Sequence, residues 1–121
     1  LCEESAGGRE MTLCLALSYG GREDLVQAVR RIACEARDGR LDPADIVPGI
    51  VQRHLQTGPL GDLDLLIRTS GEQRLSNFLL WPAAYAEFYF TETLWPDFRK
   101  PHLITALLDY QARERRFGRA G

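Results

Sequence analysis

Two short apolar runs, each stopped by turn residues, constrain the architecture most. The first, residues 12–19 (TLCLALSY), ends at Gly20-Gly21; the second, residues 63–67, ends at Arg68 and the turn residues Thr69-Ser70-Gly71. A largely apolar run of this length reads as a strand buried on both faces of a parallel sheet. Between them Leu25, Val29, Ile32, Ala33 and Ala36 recur at helical spacing. Glu23 and Asp24 form an acidic first turn, and Gly39 can supply a left-handed cap.

Asp42-Pro43 predicts a cap and a first turn, and Pro48-Gly49 interrupts the pattern, so one short turn precedes a helix to about Gln56. Residues 58–61 read as a loop. Residues 77–81 are apolar and predict a helix ending at Pro82; residues 87–91 alternate like a strand, and a last helix is expected over 101–116. The expectation is an α/β fold, a mainly parallel sheet flanked by helices, with residues 1–121 in one unit. Ligands of such sheets sit outside the carboxyl ends of the strands, here at Tyr19-Gly20-Gly21 and Arg68-Thr69-Ser70-Gly71.

With 45% hydrophobic and 26% charged residues, the chain fits neither disorder nor a membrane span. A formal charge of −2 argues against nucleic-acid or general membrane-surface binding. Cys2, Cys14 and Cys34 are odd in number and form no CxxC pair, which fits a reducing cytoplasm and buried or idle thiols. His54 and His102 have no cysteine at ligand spacing, which argues against zinc and leaves them structural or solvated. No apolar run reaches the ~18 residues of a membrane helix and no signal peptide opens the chain, so a soluble protein is expected. Leu1 in place of an initiator Met, before a polar first ten residues, suggests a cut-out segment.

Arg68 stands where an apolar strand meets a turn, and Arg74 and Ser76 follow in the same loop. Arginine forks match phosphate oxygens, and Ser76 is placed to cap a helix whose free N–H groups favour an anion. These features describe a diphosphate cradle. Spacing alone leaves an equal alternative, in which Arg68 and Arg74 pair with Asp64 or Glu72 on a solvated loop.

The run from Asp64 through Arg68-Thr69-Ser70-Gly71-Glu72-Gln73-Arg74-Leu75-Ser76-Asn77-Phe78, continued by Ala84-Tyr85-Ala86-Glu87 and Leu94-Trp95-Pro96-Asp97-Phe98, resembles the signature of cis-prenyltransferases of the undecaprenyl diphosphate synthase type. Tyr19-Gly20-Gly21-Arg22 and Arg113-Glu114-Arg115-Arg116-Phe117-Gly118 extend the likeness over nearly the whole chain. The resemblance implies a partial undecaprenyl diphosphate synthase-like domain. Arg68, Arg74, Leu75 and Ser76 would bind isopentenyl diphosphate, and Glu87 would help hold Mg²⁺ together with a carboxylate from an amino-terminal half. By itself Glu87 is a poor magnesium site, since the ion prefers an octahedron of hard oxygens. Arg116 and Gly118 would belong to an Arg-x-Gly motif at a dimer interface, although a basic end to the last helix would also account for them.

The resemblance further implies a cytoplasmic homodimer with isopentenyl diphosphate and an allylic prenyl diphosphate as substrates, joined through a new cis double bond into a polyprenyl chain of the undecaprenyl type. Ser18 stands where many relatives have Asn and Gln73 where some have His, and neither change touches the cradle. The Asp-Gly-Asn-Gly-Arg-Trp type motif that carries the catalytic aspartate does not occur, so no catalytic residue is assigned. The chain is expected to be the carboxyl-terminal part of one domain and inactive alone. The other reading is a non-catalytic partner subunit of a heteromeric enzyme, against which the intact Arg68, Arg74 and Ser76 set argues.

Overall fold

The structure, a computed structural model, describes residues 6–119. Its first helix, α1, spans Gly21–Arg37. Asp24, Ala28 and Ile32 recur every four residues and form its buried stripe. Val29 and Ala33, placed on the apolar face by periodicity, are exposed. Gly39 has φ +73°, and the Gly39 and Arg40 amides donate to the carbonyls of Ala36 and Glu35. This paired closure satisfies carbonyls that the helix end leaves open.

Asp42 caps a 3₁₀ turn, Pro43–Asp45, by accepting the Ala44 N–H at 2.9 Å. Helix α2, Pro48–His54, packs on α1, and a second 3₁₀ turn, Gly58–Leu60, leads toward strand β1, Leu65–Arg68. Strand β2, Glu87–Phe90, pairs with β1 in parallel, with Leu65 opposite Glu87 and Arg68 opposite Phe90. After a turn at Trp95–Asp97, helix α3, Lys100–Ala112, packs against β2. The buried apolar side chains among the described residues include Ala28, Ile32, Leu55, Leu66, Pro82, Ala83 and Ala106.

Four expectations are corrected. Residues 12–19 form no strand: among the described residues the sheet has only β1 and β2, and Leu13, Leu15 and Leu17 are 73–83% exposed. A buried parallel strand needs a neighbour on its edge and cover on both faces, and nothing described supplies either. Residues 77–81 form turns, because Ser76, Asn77 and Leu79 have φ of +51°, +65° and +48°, which a right-handed helix cannot contain. The last helix ends at Ala112, where Arg113 turns extended, so Arg116 does not sit in a final helical turn. Cys14 and Cys34 are free but exposed rather than buried, and Cys2 lies outside the described residues.

Candidate functional site

β1 delivers Arg68 to its carboxyl end, and the chain then turns sharply. Ser70 and Gly71 take φ of +66° and +69°, while their amides donate at 2.9 Å to the carbonyls of Thr93 and Thr91 beyond β2. The loop is thus pinned to the end of the neighbouring strand. It borders an open cavity of about 360 Å³ whose wall includes Arg68, Ser70, Glu72, Arg74, Leu75 and Trp95. Its position at the carboxyl end of parallel strands is the one expected for a ligand.

The two arginines differ in their surroundings. Arg74 pairs with the Glu72 carboxylate, as the solvated-loop alternative proposed. Half-buried Arg68 has no ion pair among the described residues, and Asp64, its other proposed partner, is taken by Arg115 at 2.8 Å. The cavity therefore holds one neutralised guanidinium and one unneutralised.

Ser76 follows Leu75 in the same loop but is not part of the cavity wall, and with no helix behind it the capping role falls away. Its neighbour Asn77 anchors the loop instead. The Asn77 carbonyl accepts the Gly21 N–H at 2.6 Å, its Oδ1 accepts the Arg22 N–H at 2.8 Å, and its Nδ2 donates to Glu23 at 2.9 Å. That last bond holds the Glu23 carboxyl below its ordinary pKa. Tyr19 meets Phe78 edge-to-face, with ring centroids 5.9 Å apart. Burial, and then the nearby Asp24 carboxylate, push the Tyr19 phenol above its ordinary value.

Glu87 is not brought to this cavity. It opens β2 opposite Leu65, three residues and so about 10 Å along the strands from the level of Arg68. It is half-buried, with the Arg113 guanidinium 3.4 Å away. No group of three or more His, Cys, Asp or Glu able to hold a metal occurs among the described residues.

Past α3 the tail folds back on the strands. Arg115 donates to the Asp64 carboxylate at 2.8 Å, the Tyr85 carbonyl at 3.1 Å and the Tyr110 hydroxyl at 3.3 Å, and stacks 4.3 Å above the Phe117 ring. Arg116 is exposed and faces Glu114 at 3.7 Å, and Gly118 takes φ +79°.

Sequence reasoning missed Asp24, Asn77 and Arg115. Asp24 reads as a surface first-turn acid, yet it accepts the Gln56 N–H at 2.7 Å and the Thr57 hydroxyl at 2.9 Å and is buried. Its place four residues before Ala28 on the inward stripe was the available signal. Asn77 and Arg115 carried none, because the partners of Asn77 and the Asp64 carboxylate that Arg115 binds lie more than fifty residues away.

The fold agrees with the comparisons to known proteins. Residues 1–118 match the family described as "Putative undecaprenyl diphosphate synthase", and the chain belongs to that prenyltransferase family. An isoprenyl transferase of Thermus thermophilus is 55% identical over 93% of this chain and 44% of its own length. A Pseudomonas putida ditrans,polycis-undecaprenyl-diphosphate synthase, (2E,6E)-farnesyl-diphosphate specific, is 50% identical over 95% of this chain and 46% of its own. The crystal structure of lavandulyl diphosphate synthase from Lavandula x intermedia, in complex with dimethylallyl diphosphate, superposes with TM-score 0.88 at 47% identity, covering 95% of this chain and 50% of that one. The chain thus spans about half the length of these relatives. No helix among the described residues is long and apolar enough to cross a membrane.

Proposed function

We propose that this chain provides the isopentenyl diphosphate-binding part of a cis-prenyltransferase that builds polyprenyl diphosphates of the undecaprenyl type. The observation that carries the reading is Arg68, a half-buried guanidinium without an ion pair among the described residues, in the wall of the same cavity as Arg74 and Leu75. An unneutralised fork at the carboxyl end of a parallel strand suits a diphosphate, and Arg74 can add a second fork by exchanging Glu72 for the ligand. Ser76, one residue further on, would supply a hydroxyl from the loop's edge.

In the proposed condensation the allylic C–O bond breaks and its electron pair leaves with diphosphate. The isopentenyl double bond makes the new C–C bond, and loss of a proton leaves the cis double bond. The residues of this chain bind and orient the isopentenyl partner; no catalytic group is assigned among them. Magnesium, when bound in such enzymes, offsets the charge of the leaving diphosphate. The described residues do not make a magnesium site by themselves, because Glu87 offers a single carboxylate that Arg113 already faces. Glu87 is proposed as one ligand at most, and no step is routed through the ion. A cytoplasmic homodimer with Arg116 and Gly118 near its interface belongs to the same proposal.

Titration of the chain with isopentenyl diphosphate, with inorganic diphosphate as a competitor, tests the reading. Binding that weakens at least about tenfold in Arg68→Ala is expected, from the loss of charge-assisted bonds. Binding indifferent to Arg68, or none at all, would refute it.

A further inference from the structure

The contacts between the Gly20-Gly21-Arg22 turn and the loop at Asn77 exceed what a tight turn requires. Asn77 engages α1 through three bonds of 2.6–2.9 Å, one from its carbonyl and two from its side chain. The glycines are what admit it. A Cβ on Gly21 would lie 2.7 Å from Leu80 Cγ and 3.1 Å from the Asn77 carbonyl, and one on Gly20 would lie 2.9 Å from Asn77 Nδ2. Two segments that are distant in sequence therefore meet at backbone contact, and any larger residue would hold them apart.

Asn77 also tolerates the conformation that the site imposes. Asn adopts left-handed φ more readily than most residues, and its side chain here satisfies the Arg22 amide, one of the open donors at the start of α1. On its amino-terminal side the chain runs through Ser76 and Leu75 to Arg74; on the other side Phe78, like Leu75 and Arg74, borders the cavity. The end of α1 thus sets the position of the loop that brings Arg74, Leu75 and Phe78 to the cavity wall.

We infer that Asn77 is a positioning residue: by latching the 74–78 loop to the amino-terminal end of α1 it holds Arg74, Leu75 and Ser76 in place for the diphosphate. The inference rests on the proposed function, since it concerns the same anion. It adds that the affinity depends on a side chain that does not touch the ligand.

The test uses the full chain in two readouts, titration with isopentenyl diphosphate and amide hydrogen exchange. Asn77→Gly keeps the left-handed backbone and removes the side chain; Asn77→Asp keeps an acceptor for Arg22 but sets a second carboxylate against Glu23. Both should weaken binding about tenfold and speed exchange at Arg22 and Gly21. Glu23→Gln in the Asn77→Asp background reverses donor and acceptor across that bond and should restore affinity to within about threefold.

Unchanged affinity in Asn77→Gly, with Arg68→Ala still weakening binding, overturns the inference and leaves the proposed function standing. Failure of Glu23→Gln to rescue a folded Asn77→Asp also overturns it. If Arg68→Ala has no effect, or the unaltered chain does not bind, the proposed function falls instead. Exchange at Arg22 then decides the latch: faster in Asn77→Gly supports it, unchanged refutes it.

Discussion

The Asp24 carboxylate accepts the Thr57 hydroxyl at 2.9 Å and the adjoining Gln56 amide at 2.7 Å, tying α1 to the segment that leads into β1. Asp24 is only 5% exposed and Thr57 6%, so neither has water to fall back on. Asp24→Ala strands these donors and the Thr57 amide, which reaches the same carboxylate at 3.4 Å, and is expected to lower stability by about 3 kcal/mol in urea unfolding. Thr57→Val removes one donor with its shape kept, at about 1 kcal/mol. The double variant should lose clearly less than the sum of the two, and strict additivity would show that the pair does not act as a unit.

His54 gives the fold a pH dependence of known sign. Its Nδ1 lies 2.7 Å from the Ile50 carbonyl and its Nε2 3.0 Å from the Glu35 carboxylate, so both nitrogens face acceptors. The Ile50 carbonyl first, and Glu35 second, raise its pKa above the ordinary value. The stabilisation is therefore complete below about pH 6.5, where the unfolded histidine titrates, and is lost as pH rises through the higher folded value. Melting curves of the native chain and His54→Gln should converge as pH rises through that window; a constant gap would remove His54 as the cause.

Arg68 and Arg74 should not be equivalent in binding. Arg74 gives up Glu72 when it takes an anion, while Arg68 gives up only water. Arg68→Ala is expected to reduce isopentenyl diphosphate affinity several-fold more than Arg74→Ala, starting from a loss of about tenfold for a charge-assisted contact. Calorimetric titration of the two variants checks the order, and a larger loss for Arg74 contradicts it.

Alanine at two glycines should have opposite effects. At Gly21 the new methyl would meet Leu80 and the Asn77 carbonyl, so Gly21→Ala should destabilise by about 1–3 kcal/mol. At Gly49, in the first turn of α2, no atom lies within 4 Å, and Gly49→Ala should stabilise by about 0.5 kcal/mol. Denaturant midpoints distinguish the two signs.

The sequence was legible wherever structure is local. Glu23, Asp24 and Gly39 marked both ends of α1, Asp42-Pro43 marked a turn, and the apolar run into Arg68 marked β1. It failed where distant partners decide. Residues 77–81 have helical composition, but the contacts of Asn77 with Gly21, Arg22 and Glu23 hold the loop in a left-handed path. Of the candidate site residues, Arg68, Arg74 and Leu75 line one cavity, whereas Ser76 stands outside its wall and Glu87 opens the other end of the sheet. Spacing could not reveal that Asp64, at the other end of β1, pairs with Arg115, or that Arg68 has no ion pair among the described residues.

The segment ahead of Ser18 has a bearing on handling as well as on fold. Met11, Leu13, Leu15 and Leu17 are 73–84% exposed and two residues apart, so in an extended chain they share one side. An unshielded apolar ribbon of this period is a template for strand addition by other molecules. Turbidity on concentration should therefore begin at this ribbon, and a lysine at Leu15 should delay it while leaving the melting temperature unchanged.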